Sequence, residues 1–187
     1  MNPIDKLNEQ AVIEDEGLTM AKLFHMKSKV QEVVLRTKAE PFLTSELEAG
    51  SENQLAIQSA IDFVSKEENS AAGLAAHQVG LSQAWFVMKI GREQEVIVVA
   101  NPDILGRSGR KQYVEGCFSE TYDAQVKRSC DITVNCELLT FDSDGNVYVE
   151  QKKFWKLDKR DAQVFQHEYH HLQGKLICDI GKVIYDK

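Results

Sequence analysis

Gln166-His167-Glu168-Tyr169-His170-His171-Leu172-Gln173-Gly174 is the stretch from which the rest of the chain is read. It contains H-E-x-x-H. On a helix, residues four apart lie one turn apart on the same face, so His167 and His171 can turn their imidazoles toward one ion. The flanking pattern is helical. Ala162, Phe165, Tyr169 and Leu172 recur at three- or four-residue steps, Asp158 stands where an N-cap belongs, and Gly174 suits a left-handed C-terminal position. The spacing therefore predicts a helix over 159–173. Glu168, beside the first imidazole, can take and return a proton of ion-bound water without itself being a ligand. His170, at i+3, rivals His171 as a ligand and is expected beside the site, in support of it. The bland reading, incidental histidines on an amphipathic helix, must contend with a chain that has only five histidines. That is too few for a chance H-E-x-x-H to be the better account.

Two imidazoles leave an open metal site one protein ligand short, and a thiolate is the soft donor found elsewhere in the chain. Glu115-Gly116-Cys117-Phe118-Ser119 is the candidate, because Gly116 permits a tight turn that lets the Cys117 sulfur and the Phe118 N–H face one ligand. Taken alone, a cysteine after glycine is more often a small buried hydrophobe. Cys130, Cys136 and Cys178 lack comparable context and read as reduced thiols.

At 187 residues and 43% hydrophobic content the chain can close one core. Residues 1–25, polar and acidic with weak helical character over 18–24, read as an N-terminal extension, and 26–187 as one catalytic domain. A helix is expected over 52–66, with Leu55, Ala56, Ser59, Ala60 and Phe63 as its apolar face and Ser51 with Gln54 as a capping box. The runs Ala84 to Ile90 and Glu95 to Ala100, separated by Gly91-Arg92 and closed by Asn101-Pro102, predict paired strands. Asp131 to Phe141 and Val147 to Trp155 flank Asp142-Ser143-Asp144-Gly145-Asn146, a hairpin signal. Strands arriving in hairpins around a single buried helix give an α+β fold, with antiparallel β-sheets packed around a central helix carrying H-E-x-x-H. A net charge of −7 and a pI near 5.3 argue against direct nucleic-acid binding. No apolar run has the length of a membrane span, and the opening residues resemble neither a signal nor a transit peptide, so a cytoplasmic protein is expected.

Three separated stretches together resemble the peptide deformylase family: Gly73-Leu74-Ala75-Ala76-His77-Gln78, Glu115 to Ser119, and Gln166 to Gly174. Leu35-Arg36-Thr37-Lys38-Ala39-Glu40-Pro41 is a fainter fourth match. The resemblance implies an enzyme that removes the N-formyl group from the initiator methionine of nascent polypeptides. It implies one divalent ion, Fe(II) foremost with Zn(II), Ni(II) or Co(II) as substitutes, bound by Cys117, His167 and His171. Glu168 would be general base and then acid, and the Gln78 amide and Phe118 N–H would hold the developing oxyanion. Gly73 and Leu74 would meet the substrate, with Gly73 leaving room for its backbone, and Gln163 and Val164 would lie near the methionine side chain. Formylated nascent peptides would be the partner, met in transient proximity to the ribosome and without a basic tail to dock there.

The chain departs from the family pattern at several places. Ala71 and Ala72 stand where a glycine and a branched residue are usual, which widens the methionine pocket. His77 replaces a frequent proline, Phe118 a leucine, and His170 an aspartate, removing a carboxylate near the ligands. Glu120 to Val126 reads as an acidic loop that alters the rim of the peptide site, and Gln163 is polar for an apolar pocket. Two rival functions follow from these residues: an H-E-x-x-H metallopeptidase, whose third ligand is usually histidine or a carboxylate, and a binding or regulatory protein that keeps the scaffold without turnover.

Overall fold

The computed structural model describes residues 22–44 and 47–186, so residues 18–21 of the weak helical stretch at 18–24 lie outside the described residues. Along the chain come α1 (Lys29–Arg36), α2 (Glu52–Ser65), β1 (Gly73–Ala75), a short 3-10 turn (Ala76–Val79), β2 (Trp85–Ile90), β3 (Glu95–Ser108), β4 (Lys111–Glu115) and β5 (Tyr122–Arg128). Then follow β6 (Asp131–Phe141), β7 (Val147–Asp158), α3 (Lys159–Leu172), α4 (Ile177–Ile180) and β8 (Gly181–Asp186). Five strands pair in the order β1-β2-β3-β6-β7 and three in the order β4-β5-β8, all antiparallel. The α+β expectation holds.

Alternation along β2 explains how the large sheet is covered. Trp85 and Val87 face one side, where Ile57, Ala60 and Phe63 of α2 pack, while Phe86 and Met88 face the other, where Val164 and Phe165 of α3 pack. Phe86 and Phe165 meet edge to face at 5.1 Å. Side chains of β4 and β5 reach α3 from the opposite direction, through Glu115 to His167 and Arg128 to His170, so α3 runs between the two sheets. That position explains why polar Gln166 and Glu168 are buried together with Ala162 and Phe165.

Several local expectations are refined. The buried face of α2 is Ala56, Ile57, Ala60, Phe63 and Val64, and Leu55 is half exposed. Ser51 accepts from the Gln54 N–H at 3.3 Å, but the Gln54 side chain reaches back to the Gly50 N–H instead of that of Ser51. Asp158 occupies the N-cap position of α3 without a side-chain capping bond. Gly174 does adopt the left-handed conformation, φ +66°, and the Arg36 carbonyl sits where its Cβ would be. Asn101-Pro102 does not end a strand. β3 continues to Ser108, and Asn101, φ +48°, forms a bulge there. The Asn101 side chain bonds both the N–H and the carbonyl of Phe42 at 2.8 Å, so the bulge anchors the segment before α2. Leu23 and Phe24 fall in the expected extension yet touch the domain: Leu23 is buried in the core and the Phe24 N–H donates to the Gln78 carbonyl at 2.8 Å.

Candidate active site

α3 places His167 and His171 one turn apart with ring centroids 5.2 Å from each other. The connection after β4 brings Cys117 to them, and Cys117 Sγ lies 3.3 Å from His171 Nε2. One donor atom from each of the three residues falls within 4.8 Å of the others. The turn that does this is tight, with the Glu120 N–H donating to the Cys117 carbonyl at 3.3 Å. Sequence alone joined these residues across a separation of fifty, and the fold does bring them together.

The donor chemistry fits a divalent ion. His167 Nδ1 donates to Glu115 Oε2 at 3.1 Å, which fixes the tautomer and leaves Nε2 with its lone pair on the ligand side. Burial holds His171 well below the usual imidazole range, so it is the neutral ring a metal requires. Burial would lower His167 too, but its hydrogen bonds to Cys117 and Glu115 outweigh this and raise it to about 10, so its Nε2 holds a cation firmly, either a proton or a divalent ion that would displace that proton. Positive charge is thus favoured where the thiol and imidazole face each other.

Glu168 is 3% exposed, and among the described residues its Oε2 has no hydrogen-bond partner. Burial pushes its carboxyl up to about 7, against the pull of His167 and Arg128. A carboxyl so placed can exchange a proton near neutral pH. Gly73 lies directly against it. A Cβ at Gly73 would be 2.6 Å from Glu168 Oε1 and 2.8 Å from its Cδ. A side chain at Gly73 would thus collide with the Glu168 carboxyl, a second reason for glycine there beside the expected room for substrate backbone.

Gln78 is held by its own oxygen. Oε1 accepts from the Ala75 N–H at 3.0 Å, which turns Nε2 toward Cys117 Sγ at 3.6 Å and Ser119 Oγ at 3.4 Å. An amide N–H donor is fixed beside the three ligand candidates. His77, in the place of a proline, bonds the Thr37 carbonyl through Nε2 at 2.9 Å, and burial lowers it to about 4, so the ring is neutral and donates. Gly73, Gln78, Cys117, Phe118, His167 and Glu168 all line one cavity of about 370 Å³, together with Gln163 and Val164. Leu74 is not among its lining residues: its side chain is fully buried in the core, which leaves its backbone for the expected substrate contact. Among the described residues β1 is an edge strand, paired with β2 alone.

Two residues of the candidate site were missed by sequence reasoning. Glu115, quoted only as part of a motif, binds His167 and is itself bound by Arg128 through Nε at 3.0 Å and Nη2 at 2.6 Å and by Gln163 Nε2 at 3.1 Å. Arg128 is 2% exposed. Its sequence signal was its place in β5 at two-residue spacing from buried Ala124 and Val126. Burial raises the Glu115 carboxyl, but the bonds from His167 and Arg128 prevail and hold it at about 2. His170 also belongs to this network: Arg128 Nη1 donates to its Nδ1 at 2.6 Å. Burial, with Arg128 next, lowers His170 to about 3 and keeps it an acceptor.

The expected acidic rim is corrected as well. Glu120 is buried and accepts from the Ile177 N–H at 3.1 Å and the Cys178 N–H at 3.3 Å, so it anchors α4. Tyr122 to Val126 forms most of β5, which is a strand between β4 and β8 and not a loop.

Comparison with known proteins agrees with this geometry. A family model described as Polypeptide deformylase matches residues 25–183. A peptide deformylase from a Thermotoga species is 39% identical over 110 residues, covering 57% of this chain and 60% of that protein. The aligned stretch thus spans about three fifths of that relative's length. Peptide deformylase 2 of Xanthomonas campestris is 34% identical over 149 residues, 78% of this chain and 79% of that protein. The crystal structure of peptide deformylase from Thermotoga maritima superposes with a TM-score of 0.61 at 30% identity, covering 86% of this chain and 96% of that one.

Proposed function

Since the chain belongs to the polypeptide deformylase family, we propose that it hydrolyses the formamide of N-formylated peptides, formyl-methionyl nascent chains foremost. One observation carries this reading: Cys117, His167 and His171 converge within 4.8 Å beside a buried carboxyl and an oriented amide N–H. The first three would hold the ion, which we assign as Fe(II) from the family resemblance; Zn(II), Ni(II) and Co(II) suit the same donors. A divalent ion there acidifies water and polarises a carbonyl.

The residues of this chain do the rest. Glu168 takes a proton from the attacking water as its oxygen bonds to the formyl carbon. Negative charge then grows on the formyl oxygen, where the Gln78 amide and the Phe118 N–H stabilise it more than they stabilise the neutral carbonyl. Breakage of the C–N bond sends the electron pair to nitrogen, Glu168 returns the proton there, and formate and a free amine leave. Glu115 keeps His167 in its ligating tautomer, and Arg128 keeps Glu115 ionised. Gly73 gives Glu168 its room. We place this chemistry in the cytoplasm, in passing contact with the ribosome, within one domain over 26–187 that follows an extension over 1–25. No helix among the described residues is long and apolar enough to cross a membrane.

Formate release from formyl-Met-Ala-Ser, by protein loaded with Fe(II) or Ni(II) under anaerobic conditions, tests the reading. Glu168→Gln at equal metal content should lose about 10² to 10⁴ in turnover. No formate from the loaded wild type refutes the reading, and undiminished metal binding by Cys117→Ala would favour a peptidase-type ligand set instead.

A further inference from the structure

The active-site cavity has a neighbour. A second cavity of about 520 Å³ shares Ala72, Gln163 and Val164 with the first, and beyond that common wall it is lined by Lys111, Tyr113, Cys130, Lys159 and Arg160. At the shared wall Ala72 contributes only a methyl group, where a branched residue would narrow the passage. Gln163 does not close it either, because its amide is committed to Glu115 at 3.1 Å.

Charge in this annex is one-sided. Among the described residues its lining holds three cations and no carboxylate, in a chain whose net charge is −7. Asp158 lies 3.8 Å from Lys159 and so offsets one of the three cations, while Glu115 is bound by Arg128, Gln163 and His167. Lys111 lies over the Tyr113 ring at 5.4 Å, which holds its ammonium at the wall. Lys159 and Arg160 open the 14-residue α3, whose N-terminal end carries partial positive charge from the helix dipole, although the Lys159 N–H itself donates to the Cys130 carbonyl at 2.9 Å. An apolar side chain entering past Ala72 would end among cations. An anionic one would end against them.

We infer that the subsite for the first side chain runs on into this annex, and that beside formyl-methionyl peptides the chain also acts on N-formyl peptides whose first residue ends in a carboxylate, with the reach of glutamate, in preference to their uncharged isosteres. The inference rests on the hydrolase reading above and adds the substrate class to it. The reaction is the same hydrolysis to formate and free amine; only the side chain that positions the formamide differs.

The test uses the metal-loaded protein and three peptides, formyl-Glu-Ala-Ser, formyl-Gln-Ala-Ser and formyl-Met-Ala-Ser. Glutamate and glutamine match in shape, so their kcat/KM ratio isolates charge. The expected ratio is about fivefold in favour of glutamate at low salt, shrinking in 0.5 M NaCl as screening predicts. Lys111 and Arg160 are both exposed, so the double variant Lys111→Ser, Arg160→Ser leaves the core intact and should bring the ratio toward one, with Lys159 alone remaining. Glutamine equal to or better than glutamate, while formyl-methionyl peptide is cleaved, overturns the substrate inference and spares the hydrolase reading. A ratio unmoved by the double variant also overturns it. Failure on all three peptides overturns both.

Discussion

Gly73→Ala separates two accounts of why that position lacks a side chain. A methyl group there would lie 2.6 Å from Glu168 Oε1, 2.8 Å from Cδ and 2.9 Å from Cγ. Ordinary contact needs about 3.5 Å, so the carboxyl must retreat by about 1 Å. It cannot do so freely, because Glu168 is 3% exposed and its close atoms extend back to Cγ. A displacement of about 1 Å in a reacting group costs on the order of 10²-fold in rate, and crowding a buried site costs about 1–3 kcal/mol of stability. The expected result is kcat down about 100-fold, KM nearly unchanged and metal content equal to wild type, measured by formate release alongside metal analysis. Had Gly73 instead made room for peptide backbone, the loss would fall on KM while kcat held. That outcome, or an enzyme unchanged in both constants, would refute the claim that Gly73 exists to seat the Glu168 carboxyl.

Other expectations follow from the surrounding network. Arg128→Met leaves the Glu115 carboxylate buried with only Gln163 and His167 as donors; the loss should be about 3 kcal/mol, or about 6–12 °C in Tm for a chain of this size, and a melt within 2 °C of wild type would contradict it. Metal affinity of the same variant should weaken about 10- to 100-fold through His167, as read by competition with a chelator. Glu120→Ala strips two N–H groups at the start of α4 of their acceptor, costing about 2 kcal/mol and speeding hydrogen exchange at Ile177 and Cys178; unchanged exchange there would argue against the anchor. Burial pushes the Cys136 thiol up to about 12, so at pH 8 it stays protonated and should resist alkylation in the native protein while reacting after denaturation; prompt native labelling of Cys136 would count against its burial.

The readings that succeeded from sequence were those with a local physical signature. H-E-x-x-H has a period, the Asp142 to Asn146 turn has its Asp-Gly step, and Ser51 has its cap; each is a relation between residues within one turn or one hairpin. Cys117 was reached because ligand arithmetic required a third donor. β4, β5 and β8 were not read, and the reason lies in their residues. Lys111 to Glu115 is mostly exposed, and Tyr122 to Arg128 alternates with an arginine in a buried position, so neither run resembles an apolar strand. Asn101-Pro102 misled for the opposite reason: it is a true breaker signal, which the sheet uses to make a bulge and bind Phe42.

Arg128 also accounts for the most unusual departure at the site. With aspartate in the position of His170, a buried arginine would have had two carboxylates to satisfy, and the loss of one suggested weaker support for the ligands. The imidazole keeps the hydrogen bond without the charge, since a ring lowered to about 3 offers Nδ1 as an acceptor at neutral pH. Glu115 is then the only carboxylate that Arg128 contacts among the described residues, and it is the one that reaches a ligand candidate. The guanidinium charge is directed to holding Glu115 ionised, which in turn holds His167 in its tautomer. His170→Asp should accordingly leave the fold intact, since arginine can bind either partner, while drawing Arg128 partly away from Glu115. The measurable consequence is a weaker metal site in a variant that looks, by sequence, more like its relatives.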